Sequence, residues 1–192
     1  RGTLEVLLRK QREPAQYEEK IGRVIAEVDR LNGMLDQLLQ LARLESGAIP
    51  VSRTPVALDA LLGAIAEKWQ PGLREKNMSL HLQIPSEAIV HTDAALLHII
   101  LDNLVSNAIK YGHAGGRIDC SWRTGDHALV IRDNGPGIPA EHLPRVFNRF
   151  YRADDSRSTA VQGAGLGLSI AKKLADMLHI RLTVSSSAGE GA

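Results

Sequence analysis

From about Gln16 to Glu45 apolar residues recur at spacings of three and four. Ile21, Val24, Val28, Leu31, Leu35, Leu38 and Ala42 form one seam, and Ile25, Leu39, Leu41 and Leu44 widen it. That period predicts one long amphipathic helix. Residues 1–12 read as the end of an earlier helix, with Pro14 breaking the pattern between the two. The first unit is therefore expected to be a helical hairpin. Its apolar face is too broad for one hairpin to cover, whereas two hairpins packed as a four-helix bundle cover it, which predicts a homodimer through residues 1–47. The alternative is that the hairpin packs on the rest of its own chain.

The helical period stops at "ESGAIPVSRTP", where Gly47, Pro50 and Pro55 mark a boundary between a unit at 1–49 and one at 50–192. In the second unit the pattern predicts a helix at about 58–70, a strand at "SLHLQI" and a helix from about Ala94 to Tyr111. Strands at "GRIDCSWR" and "HALVIRD" follow, joined as a hairpin through Gly125 and Asp126. Then come a helix around "EHLPRVFNRFY", a polar lid, a helix from about Leu166 to Leu178 and a strand at "IRLTVSS". Taken together this is an α+β architecture, with helices layered on a largely antiparallel sheet.

Composition narrows the function classes. The 192 residues are 44% hydrophobic, enough for a core, and Lys plus Arg at 23 against Asp plus Glu at 22 leaves a net charge of +1. No strong field draws such a chain to nucleic acid or to an anionic membrane. Cys120 is the single cysteine, so internal disulfides and cysteine-rich metal sites are excluded. No apolar run approaches the ~18 residues that would span a bilayer, and no signal peptide opens the chain. A cytoplasmic location is expected, with membrane contact only through segments upstream of Arg1, anchoring a longer parent in the inner or plasma membrane of a bacterium.

Three stretches carry candidate chemistry. "IILDNLVSNAIKYG" sets Asn103, Asn107 and Lys110 on one helix face, since residues three and four apart are neighbours there. "DNGPGIP" ends an apolar strand with Asp133 and turns through Gly135 and Gly137, where glycine lets backbone approach a ligand closely. "GAGLGLSIAKKL" runs Gly163, Gly165 and Gly167, interleaved with Leu166 and Leu168, into a helix whose first N–H groups suit an anion. No strand precedes those glycines and no G-x-x-x-x-G-K-[ST] occurs, so neither a dinucleotide fold nor a P-loop is indicated. Each stretch alone is weak.

Their order is not. N-x-x-x-N-x-x-K-Y, then D-x-G-x-G, then F-x-x-F-Y-R, then G-x-G-x-G resembles the N, G1, F and G2 boxes of sensor histidine kinases, within the wider family of gyrase, mismatch-repair ATPases and ATP-dependent chaperones. The resemblance covers residues 55–192 closely, and "LLQLARLESG" looks like the later part of the kinases' dimerization and histidine-phosphotransfer hairpin. It implies a Bergerat-type α/β two-layer sandwich binding ATP and Mg2+, and a response regulator as downstream partner. Asn107 is then the magnesium ligand. Asn103 sits beside the phosphates, Lys110 neutralises phosphate charge, Tyr111 lines the pocket and Asp133 reads the adenine amine. The glycine turns with Leu166 and Leu168 complete the ATP site, Arg149 and Arg152 reach the γ-phosphate, and Phe147 and Phe150 anchor the base of the lid.

Where the wider family hydrolyses ATP it carries a glutamate at the position of Asn103. An amide is no general base, so transfer to a protein acceptor is favoured over hydrolysis. The pattern H-E-x-x-x-P that holds the acceptor histidine is expected upstream of Arg1. The histidines at 81, 91, 98, 113, 127, 142 and 179 lack that context, so this piece is expected to bind ATP without phosphorylating itself. The kinases also continue past "GEGA" with one more strand. Rival readings are an ATP-switched module, a serine kinase acting on a transcription regulator, and an ATP-hydrolysing machine.

Overall fold

The computed structural model describes residues 14–45, 50–153 and 164–192. The expected helix over residues 1–12, the polar lid and Gly163 lie outside them. The first described element is α1, Pro14–Glu45. Proline suits its first position, where no intrahelical partner for an N–H exists. Ile21, Ile25, Val28, Leu31, Leu35, Leu38 and Leu39 are all exposed along it, whereas Leu41 and Leu44 near its end are buried in the core shared with the following residues.

Next come β1 (Thr54–Ala57), α2 (Leu58–Glu75), β2 (Ser79–Gln83), β3 (Ile89–Thr92), α3 (Ala94–Tyr111), β4 (Arg117–Arg123), β5 (Ala128–Asp133) and α4 (Gly167–Leu178). The strands form a three-stranded sheet in the order β2-β4-β5 and a separate antiparallel pair, β1 with β3, that the sequence pattern does not reveal. The β4–β5 hairpin is antiparallel as expected, but β2 runs parallel to β4. The connection through β3 and α3 is a long crossover, which is what a parallel neighbour requires. Ile118 and Cys120 face the helices and are fully buried, while Arg117, Asp119, Ser121 and Arg123 alternate onto the open face.

Two expected elements are absent. "EHLPRVFNRFY" holds only a 3-10 turn at Leu143–Arg145, continued as successive tight turns, with Arg145 N–H donating to His142 and Asn148 N–H to Arg145. Pro144 has no N–H for a helix ladder, and Phe150 adopts φ +59°, which ends any right-handed run. Residues 180–186 make no ladder either, apart from an isolated bridge between Ser187 and Gly191 just beyond them. Ile180 and Leu182 alternate onto the core as a strand would. Alternation, however, sets only which face is buried, and a strand also needs a partner at hydrogen-bonding distance.

Candidate functional site

Helix α3 supplies the first side of the site. Asp93 caps it, accepting from Leu96 N–H at 3.0 Å, and Leu97, Ile100, Leu101, Val105, Ala108 and Ile109 form its buried stripe. Asn103, Asn107 and Lys110 flank that stripe, half-buried. Asn103 Nδ2 donates to Ile99 O at 2.8 Å, which turns Oδ1 toward the start of α4. A Cβ at Gly167 would stand 2.7 Å from that oxygen, so the close approach requires glycine there. Asn107 makes no side-chain hydrogen bond among the described residues, leaving its amide oxygen open to a ligand. Burial, and then the charge of Arg152, hold the Lys110 ammonium below the ordinary lysine range. Lys110 has no carboxylate partner among the described residues and lies 5.5 Å from the ring centre of the exposed Tyr111.

The second side is the turn after β5. Asp133 Oδ1 accepts from Gly135 N–H at 2.9 Å, tightening the turn and leaving the other oxygen for a ligand. A Cβ at Gly135 would lie 3.5 Å from Gly112 Cα and 3.6 Å from Tyr111 O, so the turn rests on the end of α3. Gly137 has φ +71°, which glycine adopts at no steric cost. Sequence reading missed the supports of this turn. Asn134 Oδ1 accepts from Arg117 N–H at 2.6 Å, Ile138 N–H donates to Ser186 Oγ at 2.8 Å, and Asp133 N–H donates to Ala192 O at 2.9 Å. Asn following Asp before glycine is a turn signal that points to the first; the others are contacts across the chain without a local signature.

The third side joins the two ends of the lid. Phe150 N–H donates to Gly165 O at 2.9 Å, and a Cβ at Gly165, φ +70°, would stand 2.9 Å from backbone atoms of Phe150 and Tyr151. The Tyr151 ring is held by His142 Nδ1 at 2.5 Å from its hydroxyl and by the Arg145 guanidinium 4.4 Å from its centre. Leu166 is buried at the start of α4, with Gly165 and Leu168 half-buried beside it. Phe147 is half-buried, but Phe150 is 61% exposed, so its backbone and not its ring ties the base of the lid to Gly165. Arg152 is close enough to act on Lys110, while Arg149 is exposed on the same stretch.

The structure thus brings Asn103 to Gly167 and Arg152 to Lys110, keeps Asn107 on the same helix as Asn103 and Lys110, ties Gly165 to Phe150, and seats the Asp133 turn on the end of α3. Arg152 acts on Lys110, on the helix that carries the unpartnered amide of Asn107, and the Asp133 carboxylate belongs to a turn seated on the end of that helix. That arrangement suits a ligand with an anionic end and an amine-bearing end. A shallow concavity of about 390 Å³ on the open face of the sheet, lined by Gln83, Arg117, Ser121 and Arg132 among others, contains none of these residues. No cluster of three or more His, Cys, Asp or Glu able to hold a metal occurs among the described residues.

A family model described as histidine kinase-, DNA gyrase B- and HSP90-like ATPase matches residues 92–192. The chain is 36% identical over 183 residues to the swarming motility regulation sensor protein RssA of Serratia marcescens, covering 93% of this chain and 38% of that protein. It is similar in structure to full-length ShkA solved with AMPPNP, with a TM-score of 0.71 at 27% identity over 95% of this chain and 38% of that one. The histidine kinase ThkA in complex with the response regulator TrrA shares the fold, with a TM-score of 0.76 at 19% identity over 99% of this chain and 53% of that one. The chain spans about two fifths of the length of the curated relatives it matches.

Proposed function

Because this chain belongs to the histidine kinase-, DNA gyrase B- and HSP90-like ATPases, with the catalytic unit of a sensor histidine kinase, we propose that it binds Mg-ATP and presents the γ-phosphate to a histidine on an upstream helix, for relay to a response regulator receiver domain. The observation that carries the reading is the meeting of Asn103 with the glycine start of α4, on the helix that carries Lys110, on which Arg152 acts, and against whose end the Asp133 turn rests. Asp133 accepts from the adenine amine through the oxygen that Gly135 leaves open. Arg152 acts on Lys110, and the repulsion between the two cations is relieved when phosphate binds them. The first N–H groups of α4, with Gly165 and Gly167, hold phosphate oxygens. Arg149 adds a further cation at the lid.

Asn107, unpartnered and able to offer a hard oxygen, is the residue that would hold a magnesium ion. Bound there, the ion would neutralise charge that develops on the phosphates. Asn103 holds its place through Ile99 and offers no base to activate water, so the protein protects the γ-phosphate until an imidazole reaches it. The exposed row from Ile21 to Leu39 is the face through which a second copy docks to complete the bundle, and the 1–49 and 50–192 units are the phosphotransfer and catalytic parts. In the parent protein, membrane attachment belongs to segments upstream; no helix of the described residues is long and apolar enough to cross a membrane.

The test is labelling with γ-labelled ATP and magnesium. The 192-residue chain takes up no acid-labile phosphate, because none of its seven histidines stands in H-E-x-x-x-P. A version extended upstream to include that pattern becomes labelled, and the label is lost in acid. Rapid release of free phosphate, with the extended version still unlabelled, would make this an ATP-hydrolysing member of the family and overturn the role given to Asn103.

A further inference from the structure

Lys76 stands outside every motif, yet its ammonium sits under the C-terminal end of α3. Nζ donates to Ile109 O at 2.8 Å, Lys110 O at 2.7 Å and Gly112 O at 3.3 Å. An ammonium has three N–H donors, and all three are used. The last carbonyls of an α-helix lack intrahelical partners and carry the negative end of its dipole, so a cation satisfies both their bonding and their charge. The backbone of Lys76 is fixed as well. It caps α2, its N–H donating to Gly72 O at 3.3 Å, and its carbonyl accepts from Gly115 N–H at 2.8 Å. A lysine serving only to solvate α2 would keep its ammonium in water.

The clamped turn of α3 is the one that bears Asn107, Lys110 and Tyr111. It is also the surface on which the Asp133 turn rests, through Gly112 and Tyr111 against Gly135. The adenine-reading carboxylate and the phosphate-facing side chains come from two different elements, so their separation is set where those elements touch. We infer that Lys76 is a positioning residue for the nucleotide site, its three-carbonyl grip holding the end of α3 in register with the Asp133 turn. The inference rests on the ATP reading above.

The experiment is ATP binding by calorimetry on the full chain, well below the melting temperature, with circular dichroism as the check on folding. Lys76→Met keeps the aliphatic stem and removes every donor; affinity should fall roughly tenfold, the loss of about one charge-assisted hydrogen bond expressed through misalignment. Lys76→Ala should be weakened similarly and regain most of its affinity with propylammonium. Tetramethylammonium at equal concentration, which has no N–H to donate, should restore nothing. If Lys76→Ala fails to fold, Lys76→Gln, whose amide reaches one carbonyl, should still show a several-fold loss. Wild-type affinity in Lys76→Met or Lys76→Gln, or equal behaviour with the two ammonium ions, overturns the positioning role. Wild-type protein that takes up no ATP would instead overturn the nucleotide reading itself.

Discussion

Replacing Asp133 with Asn separates the adenine contact from the integrity of the turn that carries it. Asp133 Oδ1 accepts from Gly135 N–H at 2.9 Å, a role an amide oxygen fills equally well, so the turn survives the substitution. The other position becomes an NH2 donor facing the exocyclic amine of adenine, also a donor, and attraction turns into conflict. A hydrogen bond to a charged group is worth ~1.5–3 kcal/mol, which corresponds to roughly tenfold to hundredfold in affinity, and the donor–donor clash places Asp133→Asn at the upper end. Asp133→Ala loses the same contact and the acceptor for Gly135 as well, so it should additionally cost about 1 kcal/mol of stability. Calorimetry with ATP and thermal melts of all three proteins distinguish the two effects. For a domain of this size ~1 kcal/mol moves the melting temperature by about 2–4 °C, so Asp133→Asn should melt within that margin of wild type while binding far more weakly. Unchanged ATP affinity in a folded Asp133→Asn protein would refute the placement of adenine on this carboxylate.

Other consequences follow from particular contacts. Gly165→Ala adds a Cβ 2.9 Å from backbone atoms at φ +70°, a conformation costing ~1–2 kcal/mol for an L-residue, so stability and ATP affinity should both fall. Gly63→Ala, with nothing within 4 Å on a helix, should be neutral or stabilising in the same melts, and a similar loss in both would remove the lid-base explanation. Leu31→Lys combined with Leu38→Lys places charges in the exposed apolar row of α1; sedimentation should show a wild-type dimer and a mutant monomer that still binds nucleotide, and a monomeric wild type at high concentration contradicts the bundle. Backbone N–H groups, Leu96 first and then Ser52, hold the Asp93 carboxyl below its ordinary range against the opposing effect of burial. A depressed carboxylate adds stability above its unfolded pKa of about 3.9 and loses it as pH falls through the folded value. Asp93→Ala should therefore cost ~1 kcal/mol at pH 7 in denaturant titrations, with the gap to wild type narrowing below about pH 4; a gap independent of pH would exclude the cap as its source.

Elements whose periodicity and caps lie within one short window were legible from residues alone. The Asp93 cap and Gly112 bracket an apolar stripe of period 3.6, and the helix they enclose runs over the expected residues from Ala94 to Tyr111. The β4–β5 hairpin and the start of α4 are local in the same sense. The motif residues also announced their chemical types, because amide, carboxylate and glycine are properties of single positions. Packing across the chain decided the rest. Whether "EHLPRVFNRFY" coils or turns depends on Phe150 being tied back to Gly165, fifteen residues on, and whether residues 180–186 join a ladder depends on what lies beside them. The contact of Asn103 with Gly167 and the grip of Lys76 on three carbonyls at the end of α3 and its cap join residues between 33 and 64 positions apart. Burial patterns along a chain say which face of an element turns inward; only the assembled fold says which partner it meets there, because the meeting is set by the packing of every other element at once.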